Sequence, residues 1–195
     1  MGSNNFIGID VGAIKKGFHC VCLNNKKIIS CIHDREPKNV CKWIIDFNPE
    51  VIAVDAPCGW SANGLSREAE RSLAINGKNI SCFSTPTREK AKKSSFYKWI
   101  FNGEKLFNEL SQNNFTVIET YPYGISQCFV INVEKPKIKL RKTILDINCI
   151  NYSSLNNIDE IDAALCSLTA KFYYDKKIVR FGNDLEGYIY LPKIN

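Results

Sequence analysis

A chain of 195 residues, 45% hydrophobic and 24% charged, has the composition of an ordinary globular protein with enough apolar material for one core. No stretch approaches the roughly 18–20 uninterrupted apolar residues of a membrane span, and the start of the chain lacks a charged-then-apolar secretory pattern; no membrane role and a cytoplasmic address are therefore expected. A net charge of +6 favours an anionic partner, because lysines and arginines release condensed counterions when they neutralise phosphates. Nine cysteines, odd in number and without a Cys-x-x-Cys pair, read as small buried hydrophobes in a reducing compartment rather than as a disulfide framework. With His19 and His33 the only histidines, a zinc centre or a Cys–His nucleophile has little to draw on.

Residues 1–4 are left outside the fold. Residues 6–11 predict a strand ending at Gly12, residues 17–23 a second, and residues 27–32 a third after a tight turn at Asn24-Asn25, which makes a meander. Residues 37–47 open on Pro37 and repeat apolar side chains at Val40, Ile44 and Phe47, predicting a helix that Asn48-Pro49 ends. Residues 51–54 form a continuous apolar run of the kind buried on both faces in the middle of a sheet. A polar helix is expected over 64–74 and a longer one over 96–110, with irregular chain between them. Residues 115–118 predict a further strand, residues 158–174 a helix capped by Asn157 or Ser154, and residues 178–181 with 188–191 a closing hairpin. Nothing in composition divides the chain, so residues 5–195 are expected to form one α/β domain, a mixed sheet with helices on its faces.

The chemistry is signalled by acids at strand ends. Asp10 closes the first strand, Asp55 the fourth and Glu119 the fifth. A strand end opens into a crevice while the sheet holds the side chain rigidly, and carboxylates gathered at one sheet edge repel each other unless a cation joins them. Asp159 and Asp162, three apart, share a face of the last predicted helix. Asp162 sits among apolar residues in Ile161-Asp162-Ala163-Ala164-Leu165, where an unpaired carboxylate is costly. Taken singly, each strand-end acid is better explained as a capping or turn residue, an explanation that weakens when the three are taken together. Two basic stretches stand apart from the acids: Arg88, Lys90, Lys92, Lys93 and Lys98, followed by Phe96, Tyr97 and Trp99; and Lys135, Lys137, Lys139, Arg141 and Lys142. The first offers stacking surfaces for unpaired bases beside its charges, or else a solvated face over an aromatic stripe.

The segments Phe6-Ile-Gly-Ile-Asp10-Val-Gly12, Val54-Asp55-Ala-Pro57, Arg67-Glu-Ala-Glu-Arg71, Phe83-Ser-Thr-Pro86-Thr-Arg88, Ile118-Glu119-Thr-Tyr-Pro122 and Asp159-Glu-Ile-Asp162-Ala163, in that order, resemble the successive motifs of the domain-of-unknown-function family 429, described as predicted nucleases of the ribonuclease-H-like superfamily. The resemblance runs from Phe6 to Pro192. It implies a five-stranded mixed central sheet ordered 3-2-1-4-5, with Asp10 beside Asp55 and the last helix across both. Holliday-junction resolvases of that superfamily similarly place acids on the first strand, the fourth strand and the last helix.

The resulting expectation is a divalent-metal-dependent nuclease acting on DNA or RNA, with two Mg²⁺ or Mn²⁺ ions. Asp10 would bridge them, Asp55 and Asp162 would complete their shells, and Glu119 or Asp159 would orient water or serve as an outer ligand. Arg67, Arg71 and Arg88 are candidates to clamp a phosphate through the guanidinium fork. Two other classes stand beside this one. Gly8-Ile-Asp10-Val-Gly12 with Lys15 also resembles the first phosphate loop of sugar kinases and actin-like ATPases, which would make the chain half of a phosphotransferase. The third class is a nucleic-acid-binding module of the same fold without turnover.

Overall fold

The structure is a computed structural model and describes residues 4–75, 77–129 and 137–194. Strands β1 (Asn5–Val11), β2 (Phe18–Asn24) and β3 (Lys27–Asp34) form the expected meander, with Asn25 in the left-handed region at the tight turn. Helix α1 (Pro37–Phe47) ends on Asn48, also left-handed, and leads into β4 (Val51–Asp55). A long, mostly irregular excursion then holds α2 (Glu68–Arg71), a two-strand ribbon of β5 (Ala74–Ile75) and β6 (Lys78–Asn79), α3 (Arg88–Ala91) and a 3-10 turn (Ser95–Tyr97). Helix α4 (Lys98–Ser111), β7 (Val117–Glu119), α5 (Pro122–Cys128), α6 (Lys137–Ile147), α7 (Ile158–Tyr174), β8 (Ile178–Asn183) and β9 (Gly187–Pro192) complete the chain.

The main sheet runs β3-β2-β1-β4-β7-β9-β8. Its first five positions reproduce the order 3-2-1-4-5 with β7 as the fifth strand, and the closing hairpin pairs onto β7, giving seven strands where five were expected. β1, β4, β7 and β9 run parallel while the outer pairs are antiparallel. Side chains alternate across this sheet and divide the core in two. Phe6, Val21, Leu23 and Ala53 face Ile161, Leu165 and Leu168 of α7. On the other face Ile7, Ile9, Cys20, Ile52 and Val54 meet Val40 and Ile44 of α1 and Leu106 and Leu110 of α4. The cysteines are all free, and Cys20, Cys22 and Cys166 lie in these cores as expected.

One expectation needs correction, and one stretch without a predicted element gains one. The polar helix over 64–74 shrinks to one turn, because carboxylates rather than helical carbonyls take up the backbone amides around it: Glu186 accepts from Ala62 N and Glu68 N, and Glu70 from Arg67 N and Thr85 N. The second basic stretch is not a uniformly solvated face. It forms α6, on which Arg141, Ile144 and Leu145 are buried together, while Lys137 and Lys139 stay exposed. Lys135 lies outside the described residues.

One contact fixes where α7 sits. Gly8 on β1 faces α7 with no side chain between them, and a Cβ built there would fall 1.9 Å from Ala163 O and 2.2 Å from Ser167 N. Neither backbone atom can yield without moving the helix. Gly8→Ala is therefore expected to destabilise the fold by about 3 kcal/mol or more. Gly64→Ala, whose Cβ meets nothing nearer than 3.4 Å, should change stability by less than about 1 kcal/mol; denaturant titration of the two variants measures the contrast.

Candidate metal and phosphodiester site

Strand pairing assembles the centre. Asp10 and Asp55 are register partners across the parallel β1–β4 ladder, so both carboxylates leave the sheet on the face that α7 covers. The same alternation puts Gly8 on that face, two residues before Asp10, and its close contact at Ala163 delivers the neighbouring Asp162 to the same end of the sheet. Asp10 and Asp162 are each 6% exposed. Asn157 caps α7 by accepting from Glu160 N at 2.9 Å, which sets Asp159 in the first turn.

Burial raises all three carboxyl pKa values, and the acids reinforce one another. Asp55 is pushed well above its ordinary range by burial and then by Asp10 and Asp162. Asp162 is pushed to about 7, chiefly by burial, with Arg141 opposing. Asp10 is raised by burial against the opposing Lys16. Two cations hold the cluster together. Lys16 Nζ bridges Asp10 Oδ2 at 3.1 Å and Asp159 Oδ1 at 2.9 Å, and burial, which would lower its pKa, is outweighed by these two acids. Arg141, itself 3% exposed, ion-pairs with Asp162. Its hydrogen bond goes to Oδ2 and its ion-pair contact to Oδ1, so both carboxylate oxygens of Asp162 lie against the guanidinium. His19, the cross-strand partner of Asp10, stacks on His33 at 4.5 Å and lies 3.7 Å from Asp159 Oδ2; its pKa is lowered by burial and by His33.

The donor chemistry suits a hard divalent cation: three carboxylates gathered at one end of the sheet, two of them buried. Among the described residues, however, no three acid, histidine or cysteine side chains form a ready-made ligating group. Lys16 and Arg141 hold the positions a cation would neutralise.

Glu119 lines a cleft with Asp55 and adds to the rise in its pKa, but its carboxylate is committed to other partners. Glu119 pairs in register with Val54, not with Asp55, so its side chain leaves the opposite face. There it accepts from Arg67 Nη1 at 2.8 Å, Arg67 Nη2 at 2.5 Å and Cys58 N at 2.7 Å. Arg67 also donates to Glu70 at 2.9 Å and is 1% exposed, out of reach of a solvent phosphate. Arg71 is exposed and paired with Glu68, Arg88 is paired with Glu104, and Lys15 is exposed beside the bridging Lys16.

Lys16 and Arg141 escaped the sequence reading, though each left a signal. Gly12 has no side chain because the alkyl chain of Lys16 occupies that space, 2.4 Å from where a Cβ would lie. Arg141, Ile144 and Leu145 follow the i, i+3, i+4 spacing of a buried helical face.

This sheet order, with helices on both faces, is the ribonuclease-H-like fold. Two solved structures share it. The RuvC protein of Thermus thermophilus in complex with a Holliday junction substrate is 15% identical, with 89% of this chain and 96% of that one covered at a TM-score of 0.52. A second structure of Thermus thermophilus RuvC is 11% identical, with 88% and 96% covered, also at 0.52. The family model described as "Protein of unknown function (DUF429)" matches residues 8–186, and the chain belongs to that family.

The two groups of acids should respond oppositely to neutralisation. The folded pKa of Asp55 is raised, so the folded state binds its proton more tightly and stability falls as pH climbs from the unfolded value of about 3.9 toward the folded one. Asp55→Asn removes that loss. In metal-free buffer its stability relative to the parent should be unchanged near pH 3 and improve as pH rises, at no more than about 1.4 kcal/mol per pH unit. Glu119→Gln instead strips the buried Arg67 of its partner and should cost about 3–5 kcal/mol at neutral pH. Urea unfolding across pH, with both variants in parallel, reads the two signs.

Proposed function

We propose that the chain is a divalent-metal-dependent phosphodiester hydrolase acting on nucleic acid, with Asp10, Asp55 and Asp162 as the metal-holding residues. The observation that carries this reading is the register pairing of Asp10 with Asp55 beneath a helix whose backbone contact at Gly8 brings in Asp162. Three carboxylates that raise one another's pKa are an unfavourable arrangement for stability alone, and an arrangement that costs stability is expected where chemistry requires it.

A bound Mg²⁺ or Mn²⁺ would polarise a phosphate oxygen and lower the pKa of its water. The protein's part is to turn Asp10 from Lys16, and Asp162 from Arg141, toward the ion. Lys16 and Arg141 then keep their positive charges beside the acids, where they stabilise charge building on the phosphate. Asp159, already held by Lys16 and close to His19, is placed to orient water or accept its proton. That a neighbour of the same fold was solved with a Holliday junction substrate supports nucleic acid as the substrate class, as does the net charge of +6.

Incubation with a panel of single-stranded, duplex, hybrid and branched DNA and RNA should give cleavage in Mn²⁺ or Mg²⁺ that chelator abolishes and Ca²⁺ does not support. Asp10→Asn, Asp55→Asn and Asp162→Asn should each reduce the rate by at least about a thousandfold. Mn²⁺ should raise the melting temperature of the parent and not of these variants. An intact panel together with an unmoved melting temperature would overturn the proposal.

A further inference from the structure

We propose that an aromatic and lysine-lined path, leading from Asp55 outward over α3 and the 3-10 turn, is a binding track for an unpaired nucleic-acid strand. The inference rests on the hydrolase reading above for the chemistry at the inner end, and it narrows the substrate class: the strand reaches the acids as single strand, not as intact duplex.

The path is continuous in the structure. At its inner end, Phe83 and Trp99 line a small cleft of about 40 Å³ that Asp55 shares with Arg67, Glu70 and Glu119. Phe83 is the hub. Its ring lies 4.9 Å from Trp99, edge to face, and 5.2 Å from Phe96, stacked at 30°, with Tyr97 at 5.9 Å. Phe96 carries the path into solvent and is 65% exposed. A ring left so far in water is held there by its backbone: Ser94 caps the 3-10 turn by accepting from Phe96 N at 3.3 Å. Beside it lies a depression of about 420 Å³ walled by Lys92, Lys93, Ser94, Ser95 and Lys98. Arg88, also on its wall, is committed to Glu104 and lies over Phe101 at 5.4 Å, so the charge facing solvent comes from the three exposed lysines.

This pairing of features selects a ligand class. The lysines attract a polyanion of any kind. The stacked rings add something only for a ligand that presents planar faces at intervals along that polyanion, which an unpaired strand does and a duplex, with its bases stacked inward, does not. A backbone-only ligand would gain nothing from Phe96.

Fluorescence anisotropy in chelator, where turnover cannot occur, tests the track with four labelled probes of one length: oligo-dT, oligo-rU, a blunt duplex and an abasic strand. The parent should bind dT or rU at least about tenfold tighter than the duplex or the abasic strand. Phe96→Ala should lose about tenfold on the base-bearing strands and little on the abasic one, Phe96→Tyr should retain affinity, and alanine at Lys92, Lys93 and Lys98 together should flatten the salt dependence for all probes. Circular dichroism confirms that each variant is folded. Equal affinity for all four probes, or a folded Phe96→Ala with parental affinity for oligo-dT and oligo-rU, would overturn the track. Strand binding of the expected kind with no cleavage in Mn²⁺ would support the track while removing the hydrolase reading. Cleavage of blunt duplex that Phe96→Ala leaves untouched would keep the hydrolase and remove the track.

Discussion

The backbone of α7 rests on the backbone of β1 at Gly8, and the architecture of the site depends on that contact. Helices ordinarily stand off a sheet by the height of the side chains between them. Here the spacer is absent, with Ala163 O and Ser167 N where a Cβ would be. The close approach has two consequences. It buries Ala163, Ala164, Leu165 and Cys166 completely against the central strands. It also carries Asp162, one residue before the contact, toward Asp10, two residues after Gly8. A larger residue at position 8 would separate the carboxylates by lifting the helix that brings one of them.

That proximity has an electrostatic cost, and the chain offsets it locally. Lys16 returns from the β1–β2 loop, lying across the bare backbone of Gly12, and joins Asp10 to Asp159. Arg141 arrives from α6 and takes Asp162. Asp55, between them in the field, has the least compensation, and its acidity is weakened by burial and by both neighbouring aspartates. The four acids of the cluster therefore outnumber its two internal cations by two. Under the proposed function a divalent ion would supply the missing charge and an anionic phosphate would complete the balance, with Lys16 and Arg141 already beside it.

Much of this was legible before the fold was known. Strand-length apolar runs in residues 6–11 and 51–54 marked β1 and β4, and acids at their ends marked the site, because a strand that ends on a carboxylate is a strong local signal. The last helix was readable from Ile158 to Tyr174, with its cap and its pair of aspartates. What failed was parity. The sequence shows Glu119 ending an apolar run as Asp10 and Asp55 do, but only the ladder shows that Glu119 aligns with Val54, one residue short of Asp55. A one-residue offset in a strand reverses the face. Arg67 and Arg141 failed for a related reason: Arg67 reads as a phosphate clamp and Arg141 as one of a run of cations, whereas burial of an arginine depends on carboxylates distant in sequence, Glu119 and Asp162. Between 74 and 96 the chain was readable as irregular, but the sequence predicts a helix over 64–74 where one turn forms, and what orders the whole stretch was not readable.

The order of that stretch comes from a second set of acids, and comparing the two sets separates structure from chemistry. Glu70, Glu119 and Glu186 are buried, as Asp10 and Asp162 are. Each of the glutamates nevertheless meets backbone amides or Arg67, and Glu186 keeps a lowered pKa although burial alone would raise it, because Ala62 N and Glu68 N donate to it. These carboxylates act as fixed acceptors that replace secondary structure where the chain has none. The aspartates across the sheet show the opposite state, raised pKa values and mutual repulsion. A buried carboxylate whose acceptor capacity is filled serves the fold. Carboxylates crowded beside others of their kind, with pKa values raised by burial and by one another, are where the proposed function would place a cation.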